Sequence, residues 1–189
     1  RYCDVSNNTV QQDATDILEN IPPNIEQFIA SNNNIRGSLP ASLNNLPKLR
    51  QFNMASNSLS GILPGFTESL AILEELDLSN QTKGLKGPIP EDLWRSLSLK
   101  RLNLADNRLT GTIPSLVGNL DELEVFDLSN NLLNSSLPSE LGMLGGGGSL
   151  KHLDLSNNAF TGVIPYQIGQ LRDSSVLLKD NRFQNTSTT

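Results

Sequence analysis

Histidine, cysteine and tryptophan occur once each in the 189 residues, and aromatic residues make up only 5%. With Cys3 at one end and His152 near the other, Cys–His nucleophilic catalysis has no pair to work with. Cys3 also has no partner within the chain, so either a cysteine upstream of the abrupt start Arg1-Tyr2-Cys3 is missing or the thiol is free; the absence of a signal peptide favours the first. No apolar run approaches the ~20 residues needed to cross a bilayer, so no membrane segment is expected. Basic residues are outnumbered, 14 Lys plus Arg against 20 Asp plus Glu, for a net charge of -6. That balance argues against a phosphate-binding surface and so against a nucleic-acid partner.

What the chain does have is a repeat. Leu49, Phe52, Met54, Asn57, Leu59, Gly61, Leu63 and Pro64 return as Leu99, Leu102, Leu104, Asn107, Leu109, Gly111, Ile113 and Pro114. The amide column Asn33, Asn57, Gln81, Asn107, Asn131, Asn158 and Asn181 marks seven turns of about two dozen residues. Gln81 stands where the others have asparagine, and its repeat carries two more residues between Leu78 and Ile89, a local bulge that leaves the strand intact. After Leu144 comes Gly145-Gly146-Gly147-Gly148-Ser149, the composition either of an inserted flexible linker or of a glycine-rich turn.

Alternating leucines such as Leu76 and Leu78 predict a short strand with one buried face, and stacked copies predict one parallel sheet. An amide that both donates and accepts satisfies backbone groups at the corner that follows. Glycines at 37, 61, 87, 111 and 162 supply backbone freedom, with Ser135 breaking that column, and the prolines from Pro40 to Pro165 stop strand pairing. Spacings such as Leu141 and Leu144 then suit a short helical turn packing back on the core.

This pattern resembles the plant-type leucine-rich repeat family over roughly residues 25 to 183. The resemblance implies an α/β solenoid, a right-handed leucine-rich repeat superhelix of about seven repeats with a concave parallel β-sheet. Residues 1–24 are expected to form an N-terminal cap, with Ile17, Leu18 and Ile21 on a helical face; 25–173 the repeats; and 174–189 a last partial repeat and tail. Relatives of this kind serve as receptor ectodomains, polygalacturonase-inhibitor-like inhibitors of cell-wall enzymes and adhesion modules, usually with a cysteine pair near a tryptophan in the cap, which this chain lacks. The resemblance and the sequons at Asn7, Asn80, Asn134 and Asn185 point to an extracellular or cell-surface glycoprotein.

Outward positions of the strands fall into rows. One is Gln27, Gln51, Glu75, Arg101, Val125, His152 and Ser175; the next is Ile29, Asn53, Asp77, Asn103, Asp127, Asp154 and Leu177. Glu75, Asp77, Arg101, Asn103, Asp127, His152 and Asp154 are the candidate ligand-binding residues, an acidic stripe suited to a basic or amide-rich partner, although L-D-L-S also simply keeps an exposed sheet soluble. Before the stripe, Glu26, Arg50, Glu74, Lys100, Glu124 and Lys151 alternate in sign and predict a lateral ion-pair ladder.

His152, Asp127 and Asp154 share a face and belong to strands ~4.8 Å apart, so convergence on a metal is conceivable. An ordinary histidine beside carboxylates is the simpler reading, and neither metal nor cofactor is expected. Ser129 and Ser156 nearby allow a triad to be imagined, but nothing marks a strained nucleophile or an oxyanion hole. Trp94 and Tyr166 are possible exposed anchors on the turn side, Trp94 equally a cover for the enlarged third repeat. The expected function is therefore non-enzymatic extracellular recognition of a protein or peptide, possibly a glycan, through the concave or lateral face. The alternative is binding to a polysaccharide, ice or another extended surface, or inhibition of a cell-wall enzyme.

Overall fold

The computed structural model describes residues 1–66 and 70–184. Three-residue strands occur at Gln27–Ile29, Gln51–Asn53, Glu75–Asp77, Arg101–Asn103, Val125–Asp127, His152–Asp154 and Ser175–Leu177. Each turns its middle residue inward; Phe28, Phe52, Leu76, Leu102, Phe126 and Leu153 are buried. All pair in parallel within one eight-stranded sheet, in the register of the sequence rows: Glu75 lies opposite Arg101, Arg101 opposite Val125, and Val125 opposite His152.

The eighth strand is Tyr2–Asp4, paired with Gln27–Ile29. The N-terminal segment is thus more than a helical cover. Its helix, Ala14–Glu19, is capped by Asp13, whose carboxylate accepts the Thr15 N–H, and it buries Ala14 and Leu18 with Ile17 and Ile21 packed against the core. Cys3 points inward from the first strand, half-buried, with its thiol free.

The amides hold the corners as their chemistry requires. Asn131 accepts the Leu109 N–H at 2.9 Å and donates to Leu104, Leu128 and Ser129 carbonyls, so one side chain ties its own turn to the preceding one. Gln81 makes the equivalent bonds with its longer side chain, to the Leu59 N–H and to the carbonyls of Met54, Leu78 and Ser79. The strand Glu75–Asp77 before it keeps its place in the sheet.

Beyond each amide the chain runs along a lateral face in short parallel pairs, such as Lys86–Pro88 with Arg108–Thr110 and Asn134–Ser136 with Ala159–Thr161. Proline then opens a 3₁₀ turn on the convex side, as at Ser115–Asn119 after Pro114 and Tyr166–Gln170 after Pro165. Glycine is required where a side chain of the preceding repeat lies across the backbone: Gly87 has φ +78°, and Ile62 Cγ2 stands 3.1 Å from where a β-carbon would be. Ser135 keeps the same left-handed angle, φ 78°, without the glycine.

The glycine tract behaves as a specific turn at one end only. Gly145 has φ +71° and its β-carbon would meet the Leu150 nitrogen at 2.5 Å, whereas Gly148 has nothing within 4 Å. Ser149 Oγ lies 3.0–3.1 Å from the carbonyls of Asp121, Leu123 and Gly145, its one proton shared among these acceptors, and so fastens the tract to the preceding turn. Trp94 is core and not an exposed anchor: it is 1% exposed and meets the Phe126 ring edge-on at 6.2 Å. Tyr166 is 83% exposed.

Candidate functional site

The concave sheet sets Glu75, Asp77, Arg101, Asn103, Asp127, His152 and Asp154 in two neighbouring rows across four adjacent strands. Arg101 is exposed and the other six are half-buried. All seven sequence candidates are therefore brought together, with Val125 as the apolar member between Arg101 and His152. The groove lined by Asp121, Met143, Leu150 and Arg172 lies on the convex side, away from these rows.

The acidic row has a structural task that the sequence reading missed. Asp77, Asp127 and Asp154 each accept, through Oδ1, the backbone N–H two residues on, at 3.0 Å from Ser79, 2.9 Å from Ser129 and 2.8 Å from Ser156. Asn53 and Asn103 do the same for Ala55 and Ala105. These Asx turns end the strand before the left-handed residue that follows, such as Asn80 at φ 55° or Asn130 at φ 53°. One oxygen of each carboxylate is thereby fixed, and the other takes no hydrogen bond from any described residue.

The first strand belongs to the same system. Asp4 Oδ1 accepts the Ser6 N–H at 2.8 Å, Asn7 has φ 55°, and Asn8 donates to the carbonyls of Val5 and Ser6. The signal was present in the sequence, because Asp4-Val5-Ser6-Asn7-Asn8 repeats Asp127-Leu128-Ser129-Asn130-Asn131 with valine for leucine. Hydrogen bonding among Asp4, Ser6 and Tyr2 holds the Asp4 carboxyl below its usual range, with the Ser6 hydroxyl the largest contributor.

The charge ladder beside the stripe is only partly closed. Glu74 takes both Lys100, at 3.0 Å, and Arg50, while Lys151 pairs with Glu124 at 2.7 Å. Among the described residues, Lys100 reaches no ion-pair contact with Glu124, and Arg50 none with Glu26. Lys100 and then Arg50 hold the Glu74 carboxyl below its ordinary value, and Glu74 in turn raises Lys100. Lys151 depresses Glu124, with Arg101 adding a smaller push in the same direction.

The geometry does not assemble a hydrolytic triad. Ser129 and Ser156 are buried, at 5% and 2% exposed, and neither hydroxyl is hydrogen-bonded to His152. What the surface can do is accept hydrogen bonds from cationic and amide groups with Glu75, Asp77, Asp127 and Asp154, and offer Arg101 to a carboxylate.

A profile of the Leucine Rich Repeat family matches residues 24–46, 48–70, 98–120, 122–144 and 149–171, together more than half of the chain. The chain belongs to the leucine-rich repeat family. The one internal turn without a match holds Gln81 and its two extra residues. Among solved leucine-rich repeat structures, the chain is similar to PEPR1 in its complex with AtPEP1, at 31% identity and TM-score 0.82, covering 97% of this chain and 25% of that one. The ectodomain of the Arabidopsis receptor kinase HAESA, in complex with an N-terminally extended IDA peptide hormone ligand, gives 35% identity and TM-score 0.81 over 95% of this chain and 30% of that one. Pollen Receptor Kinase 3 gives 31% and 0.75 over 88% and 78%. The chain thus spans less than a third of the first two relatives' length. No curated protein matches it. No helix among the described residues is long and apolar enough to cross a membrane.

Proposed function

We propose that this chain is a non-enzymatic, extracellular recognition module whose concave face binds an extended peptide or protein segment. The observation that carries this reading is the polar surface of Glu75, Asp77, Arg101, Asn103, Asp127, His152 and Asp154, interrupted only by Val125 and aligned strand by strand on an uncovered sheet. An extended segment laid across the strands meets a new pair of outward side chains about every 4.8 Å, a spacing suited to reading successive residues. Peptide partners are what the names of related structures record for PEPR1, HAESA and the peptide hormone receptor RGFR1. The acids outnumber Arg101 and His152 in the rows, so the preferred segment is basic or amide-rich. Residues 1–24 act as a cap that also contributes a strand, 25–173 as the repeats, and 174 onward as the closing partial repeat.

The test is selection from a library of extended basic and acidic peptides, followed by titration of the best binder against variants. Glu75→Gln combined with Asp77→Asn removes two charges and keeps the Oδ1 acceptor that ends the strand. We expect it to weaken a basic peptide at least tenfold, with Lys86→Gln on the lateral face having no effect. Selection of acidic peptides, or loss of binding through Lys86 and not through Glu75 and Asp77, would refute the assignment of the face.

A further inference from the structure

Asp127 and Asp154 are the one pair of carboxylates lying directly opposite each other on adjacent strands of the concave sheet among the described residues. Elsewhere in that row each aspartate faces an asparagine or an aliphatic residue, as Asp77 does with Asn53 and Asn103. Like charges set opposite one another destabilise a sheet. Among the described residues neither carboxylate takes part in an ion pair: Arg101, on the strand beside Asp127, stands opposite Val125, Lys151 is engaged by Glu124, and Lys179, two residues past the Ser175–Leu177 strand, pairs with no acid. Two residues before Asp154, on the same face, stands the only imidazole of the chain, half-buried and without a hydrogen bond to any described residue.

We propose that Asp127, His152 and Asp154 bind a divalent first-row metal ion, zinc foremost. One ligand atom from each residue already lies within 4.8 Å of the others. Zinc bonds of about 2.0–2.2 Å to nitrogen and carboxylate oxygen place tetrahedral ligands about 3.4 Å apart, so binding draws the three atoms together by about 1.4 Å at most, the imidazole, which no described residue hydrogen-bonds, turning the most. The carboxylates are oriented in advance, because Ser129 N–H and Ser156 N–H each hold an Oδ1 and leave the other oxygen for the ion. Such outer hydrogen bonds are what fix ligand orientation in protein metal sites.

The donor set decides the class of ion. Imidazole with two carboxylates suits zinc, nickel or cobalt, whereas calcium and magnesium want oxygen alone and more of it. Three protein ligands leave at least one coordination position open, and here it faces the concave solvent. The ion would offset the opposed carboxylates and place an acceptor for a carboxylate, imidazole or thiolate in the middle of the face. Its binding requires no peptide, so it stands or falls separately from the reading above.

The experiment uses the chain without a histidine tag, titrated with zinc chloride by calorimetry while the single imidazole is followed by NMR. We expect one ion per chain, a shifted His152 resonance, and at least a tenfold loss of affinity in His152→Gln, Asp127→Asn and Asp154→Asn. The asparagine variants keep the Oδ1 acceptor and so the strand ends. Cys3→Ser should bind as the parent does, and magnesium in excess should not displace zinc. No stoichiometric binding, unchanged affinity in His152→Gln, loss in Cys3→Ser, or an equal response to magnesium would each overturn the proposal.

Discussion

Ile62 lies over Gly87, its Cγ2 3.1 Å from the place a β-carbon on residue 87 would occupy. The contact joins one turn of the solenoid to the next and leaves the backbone at φ +78°. Gly87→Ala should therefore cost about 1–2 kcal/mol from the left-handed angle alone, and more if Ile62 cannot yield. Ser135 carries that strain already, at φ 78°. Ser135→Gly should raise stability by roughly 0.5–1 kcal/mol, the relief of the angle being partly offset by the freer unfolded chain. Thermal melting of both variants tests the column; a melting temperature lowered by Ser135→Gly would contradict it.

Asn131 is 5% exposed and serves four backbone groups from two turns. Replacing it with leucine keeps the branching but not the size or the polar atoms, and orphans a buried N–H and its carbonyl partners, so Asn131→Leu should lose about 2–4 kcal/mol in urea unfolding. A loss below about 0.5 kcal/mol, the level of an ordinary surface change, would mean that water replaces the amide.

Glu74 has its carboxyl lowered below 4.5 by Lys100 first and Arg50 second. A depressed folded value means that its contribution is present above the unfolded value and disappears as pH falls through the lower folded one. Lys100 is raised above 10.5, so its share is present below that value and is lost as pH rises through the folded one. The melting temperature of the parent should exceed that of Glu74→Gln by about 1–4 °C near neutral pH, as for exposed ion pairs, and the gap should close toward pH 3. Scanning calorimetry at pH 3 and pH 7 decides the matter, an equal gap at both values counting against the ion pairs.

The strand register was legible because leucine and amide recur at one spacing, and any other alignment would have turned Leu76 or Leu102 to water. Even Gln81 was placed correctly, since its side chain performs the asparagine's task. The Tyr2–Asp4 strand was harder to read: its one inward position holds Cys3, with no leucine to announce it, and only the Asp4-to-Asn8 segment that follows copies the repeat. Burial of Trp94 depended on Phe126 meeting it from another repeat, which no local pattern encodes. The rows of the candidate site could be read, but the Asx turns could not. An aspartate that ends a strand and one that awaits a ligand look the same in sequence, and here one carboxylate does the first with Oδ1 while its other oxygen takes no hydrogen bond from the described residues.

The ties made by the amides reach back one turn and no further: Asn131 bonds to Leu104 and Leu109, and Asn107 to Leu78 and Leu85. Tension applied at the two ends would therefore find a series of similar fasteners, each guarding its own turn. The 24 residues from Asn107 to Asn131, once released, extend by about 80 Å at ~3.4 Å per residue. A protein laced in this way should give under load in steps of similar length, releasing chain turn by turn while the turns not yet reached keep their shape.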